Sequence, residues 1–272
     1  MNGARGRKAS LPDMVDEVPS MENMISVEDH HGVAVIRLAH GKVSALDVEL
    51  CHAITTTVRG HADAGAIVLT GTGSVFSAGV DLRRIRDGGA SYVAEFLPML
   101  DEAFLALFDT PRPVVAAVNG HALAGGCLLA AACDLRLMSG GAIGVTEMLV
   151  GLPFPLAGLE IMRHAFGQAT DRLVFTAEKV EAAAAHARGL VDELVGPDDL
   201  MNRAIERARA LASIPVATYA QTKEQLHRPA KQLIDAGRAL GDQARLTAAW
   251  QSPAAHAAVG QYLDNLAQRH TS

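Results

Sequence analysis

The stretch from Asn119 to Asp134 reads NGHALAGGCLLAAACD and decides the fold of this chain. It follows the apolar run Val114 to Val118, whose length and composition are typical of a buried strand. The pair Asn119-Gly120 is a turn signal, and the Ala- and Leu-rich residues after it predict a helix that begins near Gly125-Gly126. Strand, glycine-containing turn and helix in this order are typical of an α/β fold.

The N-terminus of this helix offers backbone hydrogen-bond donors that a substrate could use. The first N–H groups of a helix have no partner within the helix, and they carry a partial positive charge. Glycine lets another molecule approach that backbone closely. The N–H of Gly125 is therefore suited to polarise a carbonyl or thioester oxygen that gains negative charge during a reaction. The alternative is that Gly125-Gly126 only allows close helix packing, and this stretch alone leaves both open.

A second stretch repeats the same design. The residues Gly71 to Leu82 read GTGSVFSAGVDL and follow the apolar run Ala66 to Thr70. Ala78-Gly79 forms a turn that leaves the N–H of Val80 exposed, and a helix is expected to begin at Asp81. Two such elements, each offering one N–H, are what a two-donor oxyanion hole requires.

The two stretches together resemble the crotonase superfamily, the enoyl-CoA hydratase/isomerase family. Further similar blocks lie in the same order along the chain: KVSAL at 42–46, AIVLTGTG at 66–73, TEMLVGL at 146–152 and ARGLVDELV at 187–195. The resemblance implies that the N–H groups of Val80 and Gly125 hold the thioester oxygen of a CoA ester. It is specific for the superfamily and much less specific for the reaction.

The resemblance also implies an architecture. It predicts a flexible arm at residues 1–24, a core spiral of ββα units at residues 25–195 and a helical C-terminal region at residues 196–272 that is used for trimerisation. Periodicity alone predicts only an α/β part followed by helices. The expected assembly is a homotrimer or a dimer of trimers.

The same resemblance suggests which residues contact the substrate. The segment Lys42 to Ala45 is expected to hold the CoA adenine, largely through backbone groups, although Lys42 is equally consistent with a surface charge. Further contacts with the substrate are expected from the residues beside the two N–H donors and from an aromatic residue after Gly151. The candidate substrate-binding residues are Lys42, Ala45, Ala78, Asp81, Leu82, Gly126, Leu128 and Phe154.

Glu147 is the candidate acid/base residue. It matches the family glutamate that moves protons on the carbons beside the thioester, and we expect it to end a strand-like segment that starts at Ile143. An isolated glutamate is more often a solvated loop charge. Here its neighbours Val145, Met148, Leu149 and Leu152 are apolar, so burial is expected to raise its pKa and make it a better base.

Leu128 is a departure from the hydratases that use two carboxylates, because they place the second one three residues after the oxyanion glycine. Mitochondrial 3,2-enoyl-CoA isomerases of the superfamily also have leucine there and keep the later glutamate. Pro153-Phe154-Pro155 also replaces the Gly-rich segment usual in hydratases. The pattern favours isomerisation of 3-enoyl-CoA to 2-enoyl-CoA; the alternatives are an enoyl-CoA hydratase and a catalytically silent acyl-CoA-binding protein.

Composition excludes several other classes of protein. The 272 residues are 49% hydrophobic but only 4% aromatic, which fits a globular core built from Ala, Leu, Val and Ile. A net charge of −6 without a long basic run argues against a nucleic-acid surface. No apolar stretch is long enough for a transmembrane segment or a signal peptide, so a cytoplasmic protein without a membrane partner is expected.

Neither a disulfide framework nor a cofactor is expected. The cysteines Cys51, Cys127 and Cys133 form no CxxC pair and leave an odd thiol, which is typical of a reduced compartment. The adjacent His30 and His31 are poorly placed to share a metal, because neighbouring strand residues point to opposite faces. The resemblance implies no metal and no redox cofactor, since CoA arrives as part of the substrate.

The remaining segments are predicted from their periodicity. Helices are expected at Asp47–Arg59 with Asp47 as the N-cap, and at Ser91–Phe108. After Gly151 the expected helices are Val180–Arg188, Asp199–Ser213, Pro215–His227, Ala230–Trp250 and Pro253–His270, together with two between Pro155 and Phe175.

Overall fold

The computed structural model describes residues 24 to 269 of the chain. Residues 1–23, the larger part of the predicted arm, lie outside the described residues. Met24 is buried, and its carbonyl oxygen accepts a hydrogen bond from the N–H of Ala39 at 2.8 Å. Met24 is therefore held against the end of the second strand.

Within residues 24–269 the main sheet has six strands and is mostly parallel, as predicted. The strands are β1 Ile25–Asp29, β2 Val33–Leu38, β3 Ala66–Thr70, β5 Val114–Val118, β7 Leu135–Met138 and β10 Glu193–Leu194. Their spatial order is β1-β2-β3-β5-β7-β10, and among these six strands only the β1–β2 pair is antiparallel. The central strands β3 and β5 are buried along their whole length, which is expected of a parallel sheet covered on both faces.

A second sheet of four short strands lies beside the first. Its strands are β4 Val75–Ser77, β6 His121–Leu123, β8 Ala142–Gly144 and β9 Lys179–Glu181. The chain visits the two sheets in turn, from β3 to β4, from β5 to β6 and from β7 to β8. These repeated two-strand units, each followed along the chain by helical structure, form the spiral that the resemblance predicts.

Helices cover the sheets and make up most of the C-terminal part. They are α1 Val48–Gly60, α2 Leu82–Asp109, α3 Gly125–Ala131, α4 Leu156–Phe166, α5 Ala169–Thr176, α6 Ala182–Ala187, α7 Leu200–Ala212, α8 Val216–Ala239, α9 Asp242–Trp250 and α10 Pro253–Arg269. A 3₁₀ helix spans Glu147–Val150. No helix within residues 24–269 is long and apolar enough to cross a bilayer.

Two helix starts follow from local sequence as predicted. Asp47 caps α1, because its carboxylate accepts the N–H of Leu50 at 2.8 Å. Asp81 caps α2 by accepting the N–H groups of Arg83 and Arg84. The second helix is kinked at Gly89, where φ is +62°, so the predicted helix from Ser91 is its longer second part.

The strand expected to end at Glu147 and the helix expected from Val180 differ from the sequence prediction. The strand expected to run to Glu147 ends at Gly144, because the backbone leaves the extended conformation at Thr146. The helix expected from Val180 starts at Ala182 instead, since Val180 pairs with Ile143 in the second sheet. Here the tertiary partner overrides the helix propensity of the alanine-rich run.

The helix break expected near Pro229 is also absent. Helix α8 continues through Pro229, with Ala230 and Ile234 buried against the core on the same helix. The chain instead turns at Gly241, whose φ of +81° is readily adopted only by glycine. Packing of the buried face therefore outweighs the single hydrogen bond that proline removes.

The C-terminal helices contact the core of the same chain. Trp250 at the end of α9 is fully buried, and its indole N–H donates to the carbonyl oxygen of Pro153 at 2.8 Å. Helix α7 covers the opposite face of the main sheet, where Leu200 and Ala204 pack with Val35 and other strand residues. The boundary placed between residues 195 and 196 stays a prediction.

Candidate functional site

The two glycine-containing turns predicted from the sequence lie in direct contact. Gly79 has a φ of +88°, and a Cβ added to it would lie 2.9 Å from the backbone nitrogen of Gly125 and 2.5 Å from the Cβ of Ala124. Ala124 itself has a positive φ of +50°, which is uncommon for a residue with a side chain. Both turns are thus held in unusual backbone conformations at the point where they meet.

The direction of the Val80 N–H is set by a neighbouring segment. The N–H of Leu46 donates to the carbonyl oxygen of Gly79 at 2.7 Å, and the carbonyl oxygen of Leu46 accepts the N–H of Asp81 at 2.9 Å. These two bonds form an isolated parallel bridge between Leu46 and Val80. In such a bridge the N–H of the central residue points away from the partner, so that of Val80 faces the opposite side.

Gly125 supplies a second unpaired donor. It is the first residue of α3, so its N–H has no partner within the helix. Among the described residues, neither the N–H of Val80 nor that of Gly125 donates a hydrogen bond to a protein acceptor. Two free donors therefore lie at the meeting point of the two turns.

The two glycines of the Gly125-Gly126 pair have different surroundings. A Cβ on Gly126 would lie 2.2 Å from the carbonyl oxygen of Ser77, so Gly126 is required for close backbone packing. A Cβ on Gly125 would lie 2.7 Å from Leu46 Cδ1, the end of a side chain, and 3.6 Å from Gly79 Cα. Close backbone packing thus explains Gly126, whereas the role of Gly125 as a donor stays a prediction.

Ser77 and Leu46 support this region and were not singled out from the sequence. The hydroxyl of Ser77 donates to the carbonyl oxygen of Ser44 at 2.7 Å and accepts the N–H of Gly79 at 3.2 Å. The N–H of Ala78 donates to the carbonyl oxygen of Val43 at 3.0 Å. The segment that contains Lys42 and Ala45 is in this way fixed to the turn before Val80, whereas the Lys42 side chain is exposed.

A polar cluster surrounds the start of α1 and α2 behind the Val80 turn. Arg84 forms two hydrogen bonds to the carboxylate of Glu49, at 2.8 and 3.1 Å, and its guanidinium lies 5.1 Å from the ring centre of Tyr92. His40 contacts the Asp47 carboxylate at 2.7 Å. Asp81 and Leu82, both half-buried, begin the helix that this cluster holds in place.

Glu147 is buried, and it opens the 3₁₀ helix instead of ending a strand. One carboxylate oxygen accepts the N–H of Thr146 at 2.8 Å. Burial raises the pKa of Glu147 to about 7, although the N–H groups of Glu147 and Thr146 favour the charged form. The expected apolar surroundings hold in part: Val145 is buried, whereas Met148 and neighbouring Leu149 are exposed.

Leu128 points into the core and not towards open space. Its side chain is 1% exposed, and a Cβ added to Gly158 on α4 would lie 2.2 Å from Leu128 Cδ2 and 3.6 Å from Phe104 Cε2. The sequence led us to expect this side chain on the face of Gly125; the structure packs its end against Gly158. Phe154 is half-buried in the segment that joins the 3₁₀ helix to α4.

A cavity of about 320 Å³ lies elsewhere, between the C-terminal end of α3 and helices α4 and α8. Its charged side chains are paired, since Lys223 contacts Asp134 at 3.0 Å and Arg136 contacts Asp192 at 3.1 Å. The cavity lining includes none of Val80, Gly125 and Glu147. We therefore place the candidate site at the two turns and not in this cavity.

Two further features of the described residues concern possible metal ligands and the cysteine thiols. No three His, Cys, Asp or Glu side chains within residues 24–269 cluster in a way that could hold a metal ion. Cys51, Cys127 and Cys133 are free and buried. Burial raises the pKa of the Cys133 thiol to about 12, which disfavours the nucleophilic thiolate.

The arrangement brings together two backbone donors and places a buried carboxylate on the same spiral core. Donors of this kind stabilise an oxygen that becomes negatively charged, and a carboxylate with a pKa near neutrality can remove and return a proton. Together they suit chemistry on the carbons next to a thioester carbonyl.

Comparison with known proteins agrees with this chemistry. Residues 28–266 match the model of the family described as Enoyl-CoA hydratase/isomerase. A Thermus thermophilus protein named putative enoyl-CoA hydratase is 36% identical over 83% of this chain and 89% of its own length. The mouse mitochondrial enoyl-CoA delta isomerase 1 is 27% identical over 83% of this chain and 81% of its own length.

The fold has close counterparts among solved structures. The human mitochondrial delta3-delta2-enoyl-CoA isomerase superposes with a TM-score of 0.85, covering 90% of this chain and 99% of the human chain at 23% identity. At that identity the likeness concerns the fold. The match along nearly the whole chain, with relatives named for both reactions, shows that this protein is an enzyme of the enoyl-CoA hydratase/isomerase family.

Proposed function

We propose that this enzyme moves the double bond of a 3-enoyl-CoA to the 2-enoyl position, with Glu147 as the only acid/base residue. The observation that carries the proposal is the pairing of one buried carboxylate with a leucine at the second carboxylate position. Leu128 is packed against Gly158 and offers no group that could hold or deprotonate water. Isomerisation needs one base, whereas the family's hydration chemistry commonly divides its proton transfers between two carboxylates.

The proposed reaction is balanced without a second reactant. Glu147 removes a proton from C2, and the electron pair of that bond moves towards the thioester, giving an enolate. The N–H groups of Val80 and Gly125 stabilise the negative oxygen. When the enolate collapses, the thioester carbonyl re-forms and the C1=C2 electron pair moves to C2=C3. The electron pair of the former C3=C4 double bond takes the proton of protonated Glu147 at C4. CoA enters and leaves as part of the substrate, and no metal or redox cofactor takes part in the proposed steps.

The substrate-binding residues follow from this placement. Ala45, Ala78, Asp81 and Leu82 adjoin the Val80 turn, and Gly126 adjoins the Gly125 donor. Lys42, exposed beside the same segment, is the proposed contact for a CoA phosphate or the adenine region. Phe154 is the proposed contact with the acyl group, and Leu128 is proposed as an apolar wall behind Phe154.

A hydratase is the second candidate, and the Thermus thermophilus relative favours it because it is named putative enoyl-CoA hydratase at 36% identity. A catalytically silent acyl-CoA-binding protein is the third possibility from the sequence. Membership of an enzyme family argues against the last.

The wild-type enzyme is the first test. We expect it to isomerise 3-enoyl-CoA esters, and to exchange the C2 proton with solvent, much faster than it hydrates 2-enoyl-CoA. Both reactions are followed on matched panels of esters by product analysis and by deuterium uptake. Hydration of crotonyl-CoA at rates of an efficient enzyme, roughly hundreds per second, would show that one glutamate suffices and would replace the isomerase by the hydratase.

Glu147→Gln tests the base. The amide keeps the shape and can still accept the N–H of Thr146, but it cannot take a proton, so C2 exchange should fall by roughly a hundred-fold or more. The matched control is Glu95→Gln, at an exposed position on α2, which should leave exchange unchanged. An exchange rate in folded Glu147→Gln equal to that of wild type would exclude Glu147 as the base.

The dependence of kcat/KM on pH tests the role of the Glu147 carboxylate independently. The carboxylate is the active form and burial raises its pKa to about 7, so kcat/KM should be low in acid and rise through neutrality to a plateau. The rising limb should disappear in Glu147→Gln. A wild-type profile that already reaches its plateau near the ordinary pKa of glutamate, about 4.3, would contradict a buried base.

We also propose a homotrimer or a dimer of trimers formed through the helical C-terminal region, in the cytoplasm, without nucleic-acid or membrane partners. Exposed leucines recur every seven residues, at Leu226 and Leu233 on α8 and at Leu240 directly after it, and favour association through this helix. Sedimentation at micromolar concentration should show a trimer or hexamer. Only monomer in that experiment would refute the assembly.

A further inference from the structure

The two loops that carry the chain from the main sheet to the second sheet lie against each other. The first, residues 71–74, joins β3 to β4, and the second, Asn119-Gly120, joins β5 to β6. A Cβ added to Gly120 would lie only 1.9 Å from the carbonyl oxygen of Ser74, which accepts the N–H of His121 at 3.1 Å. The starts of β4 and β6 are thus in direct backbone contact.

The side chain of Asn119 binds the first loop and the start of β4 through both ends of its amide. Its Oδ1 accepts the N–H of Gly71 at 2.9 Å. Its Nδ2 donates to the carbonyl oxygens of Gly73 at 2.9 Å and Val75 at 3.3 Å. These partners, one N–H and two carbonyl groups, determine which end of the amide is the oxygen. Asparagine is suited to this place, because aspartate lacks the two donors and leucine lacks donor and acceptor alike.

The pairing of β4 with β6 contains an irregularity at the same place. Val75 lies opposite His121, 46 positions later in the sequence, but Ser77 lies opposite Ala122, only 45 positions later. The first strand therefore advances by two residues where the second advances by one, and Phe76, whose side chain is fully buried, is the additional residue of a β-bulge. A bulge takes backbone groups out of the regular ladder, so these groups need other partners.

The bulge decides which residue of the first turn lies level with Gly125. Continued beyond the strands, the offset of 45 found after the bulge sets Val80 level with Gly125. The offset of 46 found before it would set Gly79 there instead. The contacts agree with the smaller offset, since the atoms nearest to a Cβ on Gly79 belong to residues 123–125, and the closest of them is the Cβ of Ala124.

We propose that Asn119 is a positioning residue for the two backbone donors. Its amide bonds to the loop before β4 and to the carbonyl oxygen that directly precedes Phe76, and it thereby holds the bulge in the register that sets the N–H of Val80 beside that of Gly125. Asn119 acts through the direction of the donors and not by touching the substrate. The inference rests on the proposed function for the role of these two N–H groups.

Asn119→Asp tests this role without changing the size of the side chain. The carboxylate still accepts the N–H of Gly71 but cannot donate to Gly73 and Val75. We expect kcat for C2 proton exchange to fall by roughly ten-fold or more, a smaller loss than removal of a whole donor, while the affinity for butanoyl-CoA stays close to that of wild type. Asn119→Ala, which loses all three bonds, should show the same split between kcat and affinity if the aspartate variant does not fold.

The carbonyl stretch of a bound thioester reports directly on the two donors. Butanoyl-CoA labelled with 13C at the thioester carbonyl should absorb at lower frequency on the wild-type enzyme than in free solution, because the donors polarise the bond. Difference infrared spectroscopy measures this shift. The shift should become smaller in Asn119→Asp and stay complete in Glu147→Gln, which changes the base and not the donors. An unchanged shift in folded Asn119→Asp would overturn the inference.

Thr70→Val is the matched control for a general loss of stability. Thr70 is buried at the end of β3, directly before the first loop, and its hydroxyl donates to the carbonyl oxygen of Ala117 on β5 at 2.8 Å. Loss of this bond should lower thermal stability but leave kcat and the carbonyl shift unchanged. If Thr70→Val reproduced the effects of Asn119→Asp on kcat and on the shift, any weakening of this region would suffice and the inference would fail.

The outcomes separate this inference from the proposed reaction. A wild-type enzyme that shows no carbonyl shift would refute the proposed role of the Val80 and Gly125 donors, and this inference with it. A shift that is present in wild type and persists in the Asn119 variants would refute the inference alone. A shift that Asn119→Asp diminishes, in an enzyme that hydrates instead of isomerising, would support the inference and refute the isomerase.

Discussion

The candidate site depends on two hydrogen bonds: the N–H of Leu46 donates to the carbonyl oxygen of Gly79, and the N–H of Asp81 donates to the carbonyl oxygen of Leu46. Because these bonds engage the groups on either side of Val80, they leave the Val80 N–H free and fix its direction. The same segment continues into Asp47, which caps α1, so the donor is connected directly to a helix of the core. A free N–H held by rigid neighbours needs no rearrangement when charge develops on a bound oxygen, which is the condition for efficient electrostatic stabilisation.

Close approach of two backbones explains why the site is built from glycine and alanine. Gly79 and Gly125 lie in the turns that follow β4 and β6, two strands of the second sheet, and these two turns meet. A side chain on Gly79 would collide with Ala124, and one on Gly126 with the carbonyl of Ser77. The spiral therefore brings together residues 46 positions apart in sequence only where side chains are absent. The backbone, which mutation alters least, supplies the two proposed donors.

Local signals in the sequence predicted much of this arrangement, and long-range contacts account for what they missed. Asp47 and Asp81 were recognisable as caps because a cap bonds to residues two or three positions away. The end of β8 was misplaced because it depends on pairing with the distant strand β9, where Gly144 lies opposite Lys179. Trp250 was read as the end of a helix, since its partner Pro153 lies 97 residues away and no local pattern indicates that bond.

Gly158 shows that Leu128, the residue at the second carboxylate position, is also part of the core packing. Leu128 Cδ2 occupies the space that a Cβ on Gly158 would need, and Phe104 Cε2 lies 3.6 Å from that Cβ position. A carboxylate placed at residue 128 would either enter this apolar contact, where an unpaired charge is costly, or turn away and leave a cavity between α3 and α4. Leu128 thus contributes to the packing between α3 and α4, and it also stands where hydratases with two carboxylates have an acidic residue. Conversion to a two-carboxylate site would require changes on α4 in addition to the single residue on α3, because the space that now receives the leucine would also have to be refilled.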